Sequence, residues 1–207
     1  MQDYLTVSAS SSGEIVIDRS RFIAVLAHIS SEEEAMEFVA QKRKEHYNAR
    51  HTVYAYRLSD STSRFSDDGE PRSTAGKPVM DVITGAGLYD VVLVVTRYFG
   101  GILLGTGGLV RAYSTSAAAA VENADIVKMT ECAHMHISCP YPAFESLKKF
   151  LCDFGCEIKD TKYTDEVLLE FLVKNSEVDA ICSKITDKFA GRMQPQVDFV
   201  EFTAFSK

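Results

Sequence analysis

No run in this 207-residue chain approaches the roughly 20 consecutive apolar residues that a membrane-spanning helix requires. The opening stretch MQDYLTVSAS has neither the basic region nor the apolar core of a signal peptide, so the expected location is the cytoplasm, with no membrane partner. Basic charge is also in short supply. Against 29 Asp and Glu there are 22 Lys and Arg, a net charge of −7. Both halves share the deficit: 13 basic against 16 acidic residues over 1–130, and 9 against 13 over 131–207. Non-specific polyanion binders carry a basic excess, so any contact with nucleic acid has to be local. Cysteine is missing before residue 132. The five present (Cys132, Cys139, Cys152, Cys156 and Cys182) are odd in number and form no Cys-x-x-Cys pair. They read as small buried thiols in a reducing compartment. Proline and glycine never gather into a linker, and there are no repeats or low-complexity segments.

What the chain does have is concentrated in VVLVVTRYFGGILLGTGGLVRAY, residues 91–113. Val91 to Val95 is a continuous apolar run, mostly β-branched, which predicts a strand buried on both faces. Arg97, Gly100, Gly101, Gly105, Gly107 and Gly108 follow, and from Leu109 to Asn123 the pattern is helical. Strand, glycine turn and helix start are the order that builds a backbone anion site, with Arg97 and Arg111 bracketing it. Arg111 would sit in the first helical turn, where a cation does nothing for the macrodipole. An equally good reading is structural: a tight connection whose arginines pair with carboxylates. The motif is neither a Walker loop nor a GxGxxG fingerprint.

A second conspicuous stretch is the polar loop 59–73, with Asp67, Asp68 and Glu70 close together. These carboxylates fit pairing with Arg97 or Arg111 and turn capping first, and a hard-cation site second. No metal or cofactor is expected. Thr74 is the expected cap of a helix over roughly 77–86, and His51 stands at the entrance of a strand over 52–58. A lone histidine there is usually structural. The loops 65–76 and 97–108 each lead into a helix and are expected to meet on one side of the domain.

Around them, strands are predicted at 14–18 and 21–29, with Tyr4 to Val7 as a further edge strand, and Phe22, Val25 and Ala27 as candidates for one sheet face. A helix over 31–47 opens on a capping box, Ser31 with Glu34, and directs Ala35, Met36, Phe38 and Val39 inward. From 131 a new pattern begins: strand 133–139, helix 142–154, strands 156–163 and 166–173, helix 177–190, strand 196–205. That β-α-β-β-α-β order is the ferredoxin-like split unit. His134 and His136 share a strand face, either partly exposed or as a metal pair.

TRYFGGILLGTGGLVRAYS, together with FSDDGEPRSTAG at 65–76 and NARHTVYAY around His51, resembles the IMPACT (YigZ) family over essentially the whole chain. The resemblance implies an α+β fold. Residues 1–128 would form an IMPACT N-terminal domain of the left-handed β-α-β type seen in domain IV of elongation factor G. Residues 131–207 would form a ferredoxin-like domain similar to domain V of that factor. Ser73 departs from the family, which usually has glycine before Thr-Ala-Gly; the departure bears on the geometry of the 70–76 turn. The resemblance further implies a translation-linked regulatory or binding protein without catalytic residues, contacting RNA, the ribosome or a translation-regulator protein. Alternatives are an enzyme acting on a phosphorylated or nucleotide-like small molecule, and a purely structural interaction module. No convincing nucleophile–base pair or phosphate-binding lysine stands behind the enzyme reading.

Overall fold

In a computed structural model that describes residues 3–205, the chain is α+β and forms two compact units, one of residues 4–127 and one of residues 128–205 together with Asp3. In the first unit β1 (Tyr4–Val7) precedes an antiparallel sheet in the order β2-β3-β6-β4-β5. Its strands are β2 (Ser11–Ile17), β3 (Ser20–His28), β4 (His51–Arg57), β5 (Ser63–Ser66) and β6 (Val91–Tyr98). Both β3 and β4 pair antiparallel to β6, so the helix α1 (Glu32–Glu45) connects two parallel strands with β6 between them. Burial follows from that position: every residue from Val91 to Arg97 is buried. Val91, Leu93 and Val95 pack beneath α2 (Gly76–Gly85) and α3 (Gly105–Glu122), while Val92 and Val94 pack beneath α1. Each such side chain contributes about 1.5–3 kcal/mol of apolar burial.

Local signals decide the element ends. The Ser31 hydroxyl accepts from the Glu34 N–H at 3.2 Å, and the Glu34 carboxylate accepts from the Ser30 N–H at 2.7 Å. The second half of the capping box thus reaches one residue further back than the standard form. Ala35 and Val39 are buried as expected, Phe38 packs partly, and Met36 is exposed. In β4, Val53 and Ala55 face α2 and α3 whereas Tyr54 and Tyr56 face α1. The expected grouping of Phe22, Val25 and Ala27 fails. Phe22 faces α2 and α3 with Ala24 and Leu26, while Ala27 faces α1, as the period of two requires. The loop 59–73 also contains β5, a short exposed edge strand that pairs with β4. Polar residues on an unburied edge leave no apolar alternation to read.

The second unit has β7 (Ile126–Cys139), α4 (Tyr141–Phe154), β8 (Glu157–Tyr163), β9 (Val167–Lys174), α5 (Val178–Lys188) and β10 (Gln196–Ala204). Its strands pair antiparallel in the order β10-β7-β9-β8, the ferredoxin-like arrangement. Gly155 ends α4 at φ +99, a left-handed position that suits glycine. Leu147 and Leu151 of α4, with Ile181 and Ile185 of α5, cover the sheet residues Met135, Ile137, Leu169 and Phe171. This unit has its own core, so a fragment of residues 128–207 is expected to unfold cooperatively on heating. A fragment without a thermal transition by circular dichroism would contradict this.

Candidate functional site

At one end of the first sheet, the end of β6 meets the starts of β3 and β4: Arg97 lies opposite Phe22 and His51. Arg97 is only 5 % exposed, and its guanidinium Nη1 donates to Glu70 Oε1 at 2.6 Å. The same oxygen accepts from the Tyr113 hydroxyl of α3 at 2.8 Å. A charge pair this deep is strongly coupled and costly to break from one side. Phe22 lies under both partners, edge-on to Tyr113 with centroids 5.2 Å apart and 5.4 Å from the Arg97 guanidinium carbon. Burial first, and the Glu70 carboxylate second, push the Tyr113 phenol far above its ordinary range, so it remains a donor.

The loop 67–76 is fixed through all three of its carboxylates. Asp67 Oδ1 accepts from the N–H groups of Ala75 at 3.0 Å and Gly76 at 2.8 Å, and its Oδ2 accepts from the Ser73 N–H at 2.8 Å. It therefore performs the capping expected of Thr74, whose hydroxyl instead donates to the Pro71 carbonyl at 2.7 Å. Thr74 fails as a cap because α2 begins at Gly76 with Ala75 in the capping position. Asp68 accepts from the Thr52 N–H at 2.7 Å and from Arg43 at 2.8 Å. His51 Nδ1 donates to the Asp68 carbonyl at 2.7 Å, since a carbonyl only accepts; Nε2 then lies 3.8 Å from Glu70 Oε1. Ser73 has φ +61. The turn thus keeps the left-handed backbone that glycine would occupy freely, with serine held in it at a cost of about 1 kcal/mol.

The structure separates the two arginines of the glycine motif. Arg97 is internal and matched by Glu70, whereas Arg111 is exposed and has no ion-pair partner among the described residues. Arg111 also lies in the second turn of α3, because the helix starts at Gly105 instead of near Leu109. Packing of Leu109, Ala112 and Tyr113 on the core carries the helix back through Gly107 and Gly108 despite their poor propensity. Gly100 and Gly101 form the turn itself. A Cβ on Gly100 would lie 2.1 Å from the Arg19 carbonyl carbon, and Gly101 has φ +85. No acidic residue and no side-chain cap stand at the start of α3.

Sequence reasoning missed three further arginines at this end. Arg19 lies in the β2–β3 turn against Gly100, Arg50 donates its N–H to the Arg97 carbonyl at 2.9 Å, and Arg72 lies in the anchored loop. All three side chains are exposed and none has an ion-pair partner among the described residues; the exposed carboxylate nearest in sequence is Asp18. Tyr113, Arg72 and Arg50 were inside the motif stretches and readable there. Arg19 joins them only through the close approach of its turn to Gly100. In the second unit, His134 and His136 pair with Glu201 at 2.8 Å and Asp198 at 2.7 Å. They line a groove of about 440 Å³ with Lys159, Glu170 and Phe199. No group of three metal-ligating side chains occurs among the described residues, and no helix among them is long and apolar enough to cross a membrane.

Fold and site together define a two-unit α+β protein whose glycine turn and acidic loop are locked by one buried ion pair. Residues 18–121 match the model of the Impact N-terminal domain, and residues 137–192 match a domain of unknown function, DUF1949. IMPACT family member YvyE of Bacillus subtilis is 37% identical over 93% of this chain and 89% of its own. IMPACT family member YigZ of Escherichia coli is 35% identical over 94% and 97%. A solved structure titled "Crystal structure of an hypothetical protein" superposes with a TM-score of 0.63 at 35% identity, covering 94% of this chain and 97% of that one. The chain belongs to the IMPACT family. More distantly, the Saccharomyces cerevisiae protein IMPACT homolog is 32% identical over 51% of this chain and 43% of its own.

Two stability outcomes follow from the geometry. Glu70→Ala strands the Arg97 charge and is expected to cost about 3–5 kcal/mol in urea unfolding. Ser73→Gly relieves the left-handed serine and should gain about 0.5–1 kcal/mol in the same measurement.

Proposed function

We propose that this protein is a non-catalytic binding protein linked to translation. It recognises an anionic partner, RNA, the ribosome or a translation-regulator protein, through the arginine-bearing end of the first unit. The observation that carries this reading is the set of exposed arginines at that end, Arg19, Arg50, Arg72 and Arg111, without ion-pair partners among the described residues. In a chain of net charge −7 such a cluster is local, and it lies beside an α3 start that no acidic side chain occupies. Arg97 and Glu70 are the frame that holds this end in shape. The link to translation rests on the family's resemblance to elongation-factor domains, a fold-level analogy.

Co-sedimentation of the full chain with purified ribosomes over a salt series tests the reading. Wild type should pellet at low salt. The variant Arg50→Ala/Arg72→Ala/Arg111→Ala should pellet less. If the partner is RNA, its log–log salt slope should flatten by about 0.7 for each single-strand phosphate that the variant no longer neutralises. Wild type that stays in the supernatant at every salt, or a triple variant that pellets equally, contradicts it.

One observation favours a second reading, an enzyme acting on a phosphorylated or nucleotide-like small molecule. His51 is oriented by the Asp68 carbonyl so that Nε2, the ring nitrogen without the proton, lies beside the same end, 3.8 Å from Glu70 Oε1. Turnover of a phosphorylated metabolite that His51→Gln abolishes would move the function to this reading.

A further inference from the structure

Anion recognition leaves one part of the glycine turn unexplained. Phe99, Ile102 and Leu103 are 46, 42 and 86 % exposed, and Val110 in α3 is exposed as well. Single apolar side chains on a surface are ordinary, whereas three within five residues of one loop are not. The fold does not need them. Gly100 makes the close contact with the Arg19–Ser20 backbone, Gly101 supplies the positive φ, and Leu104 is the loop residue that packs on the core. Polar side chains at 102 and 103 would leave every one of those contacts intact.

Charge frames this apolar tip. Arg19 abuts it through Gly100 and Arg111 directly follows Val110, and neither has an ion-pair partner among the described residues. We propose that the tip docks a polypeptide segment carrying apolar anchors flanked by Asp or Glu, the anchors seating on Phe99, Ile102 and Leu103 and the carboxylates meeting Arg19 and Arg111. This rests on the reading above that the arginine-bearing end is the recognition end, and it specifies the partner's chemistry there. Polypeptide is favoured over nucleic acid because Ile102 and Leu103 offer no face on which a base can stack. The Phe99 ring is in addition engaged by the Arg97 guanidinium, 5.5 Å from its centroid. Apolar anchors with arginine beside them are the composition of protein interface centres. A second copy of this chain is disfavoured, since tip-to-tip contact would bring like charges together.

The test selects peptides from a displayed random library on the immobilised full chain, with counter-selection on Ile102→Ser/Leu103→Ser. Both positions are surface ones, and an unchanged thermal transition verifies that the variant is folded. Enriched sequences should combine Leu, Ile or Phe with flanking Asp or Glu. A synthetic copy of the most enriched peptide should bind wild type and lose about tenfold or more in affinity to the serine variant. Its affinity should also fall for Arg19→Ala/Arg111→Ala. The proposal is overturned by no enrichment over the counter-selected pool, or by enriched peptides lacking acidic residues. Co-flotation with phosphatidylserine vesicles, or binding of an oligouridylate, that depends on Ile102 and Leu103 overturns it too. If the arginine variants lose ribosome pelleting while the serine variant keeps it and binds the selected peptide as wild type does, the docking idea fails and the anion reading stands. If peptides are captured as expected but ribosomes never pellet, the reverse holds.

Discussion

The buried pair of Arg97 and Glu70 is the constraint on which the arginine-bearing end of the first unit depends. It joins the end of a strand buried on both faces to the middle of a loop that has no apolar core of its own. With the Tyr113 hydroxyl on the same carboxylate oxygen, it ties β6, the 67–76 loop and α3 at one point. In a medium of low dielectric, such a pair is weak as a source of net stability but strong as a specification, because neither charge has anywhere else to go. The loop's other carboxylates work outward from that point: Asp68 reaches β4 and α1, and Asp67 closes the turn onto α2.

This arrangement divides the cations of the site by role. Arginines look alike in sequence, yet one is sealed inside as a fastener while four are left in solvent without ion-pair partners among the described residues. An overall acidic chain with a few unmatched cations at one end favours approach in a particular orientation over general adhesion. In the proposed docking, the exposed apolar tip supplies a contact that is insensitive to salt, and the surrounding charges one that is sensitive. Together they discriminate better than either alone.

Much of this fold could be read from periodicity. The run Val91 to Val95 announced a strand buried on both faces. The C-terminal order of elements identified the ferredoxin-like unit without help from the family resemblance. Legibility failed where tertiary partners replaced local ones. Thr74 had the right chemistry for a cap, but a carboxylate from residue 67 reached the helix start instead. The α3 start was placed too late because glycines argue against helix locally, whereas Leu109 and Tyr113 are held by the core. Arg50 stood inside the NARHTVYAY stretch, where only His51 was singled out, and Arg19 stood outside the three motif stretches. Both are ordinary surface arginines until the register of β3, β4 and β6 brings their segments to the same end.

Two helices begin at this end of the molecule, each with glycine in its first turn, and they are not equivalent. The donors at the start of α2 already hold an anion, the carboxylate of Asp67, tethered nine residues from Gly76 and six from Ser73. A ligand built into the chain acts at an effective concentration in the millimolar range or above, so an ordinary cellular anion competes poorly for that position. The chain has in this sense plugged one of its two sockets with its own residue. The start of α3, at Gly105, carries no such plug among the described residues.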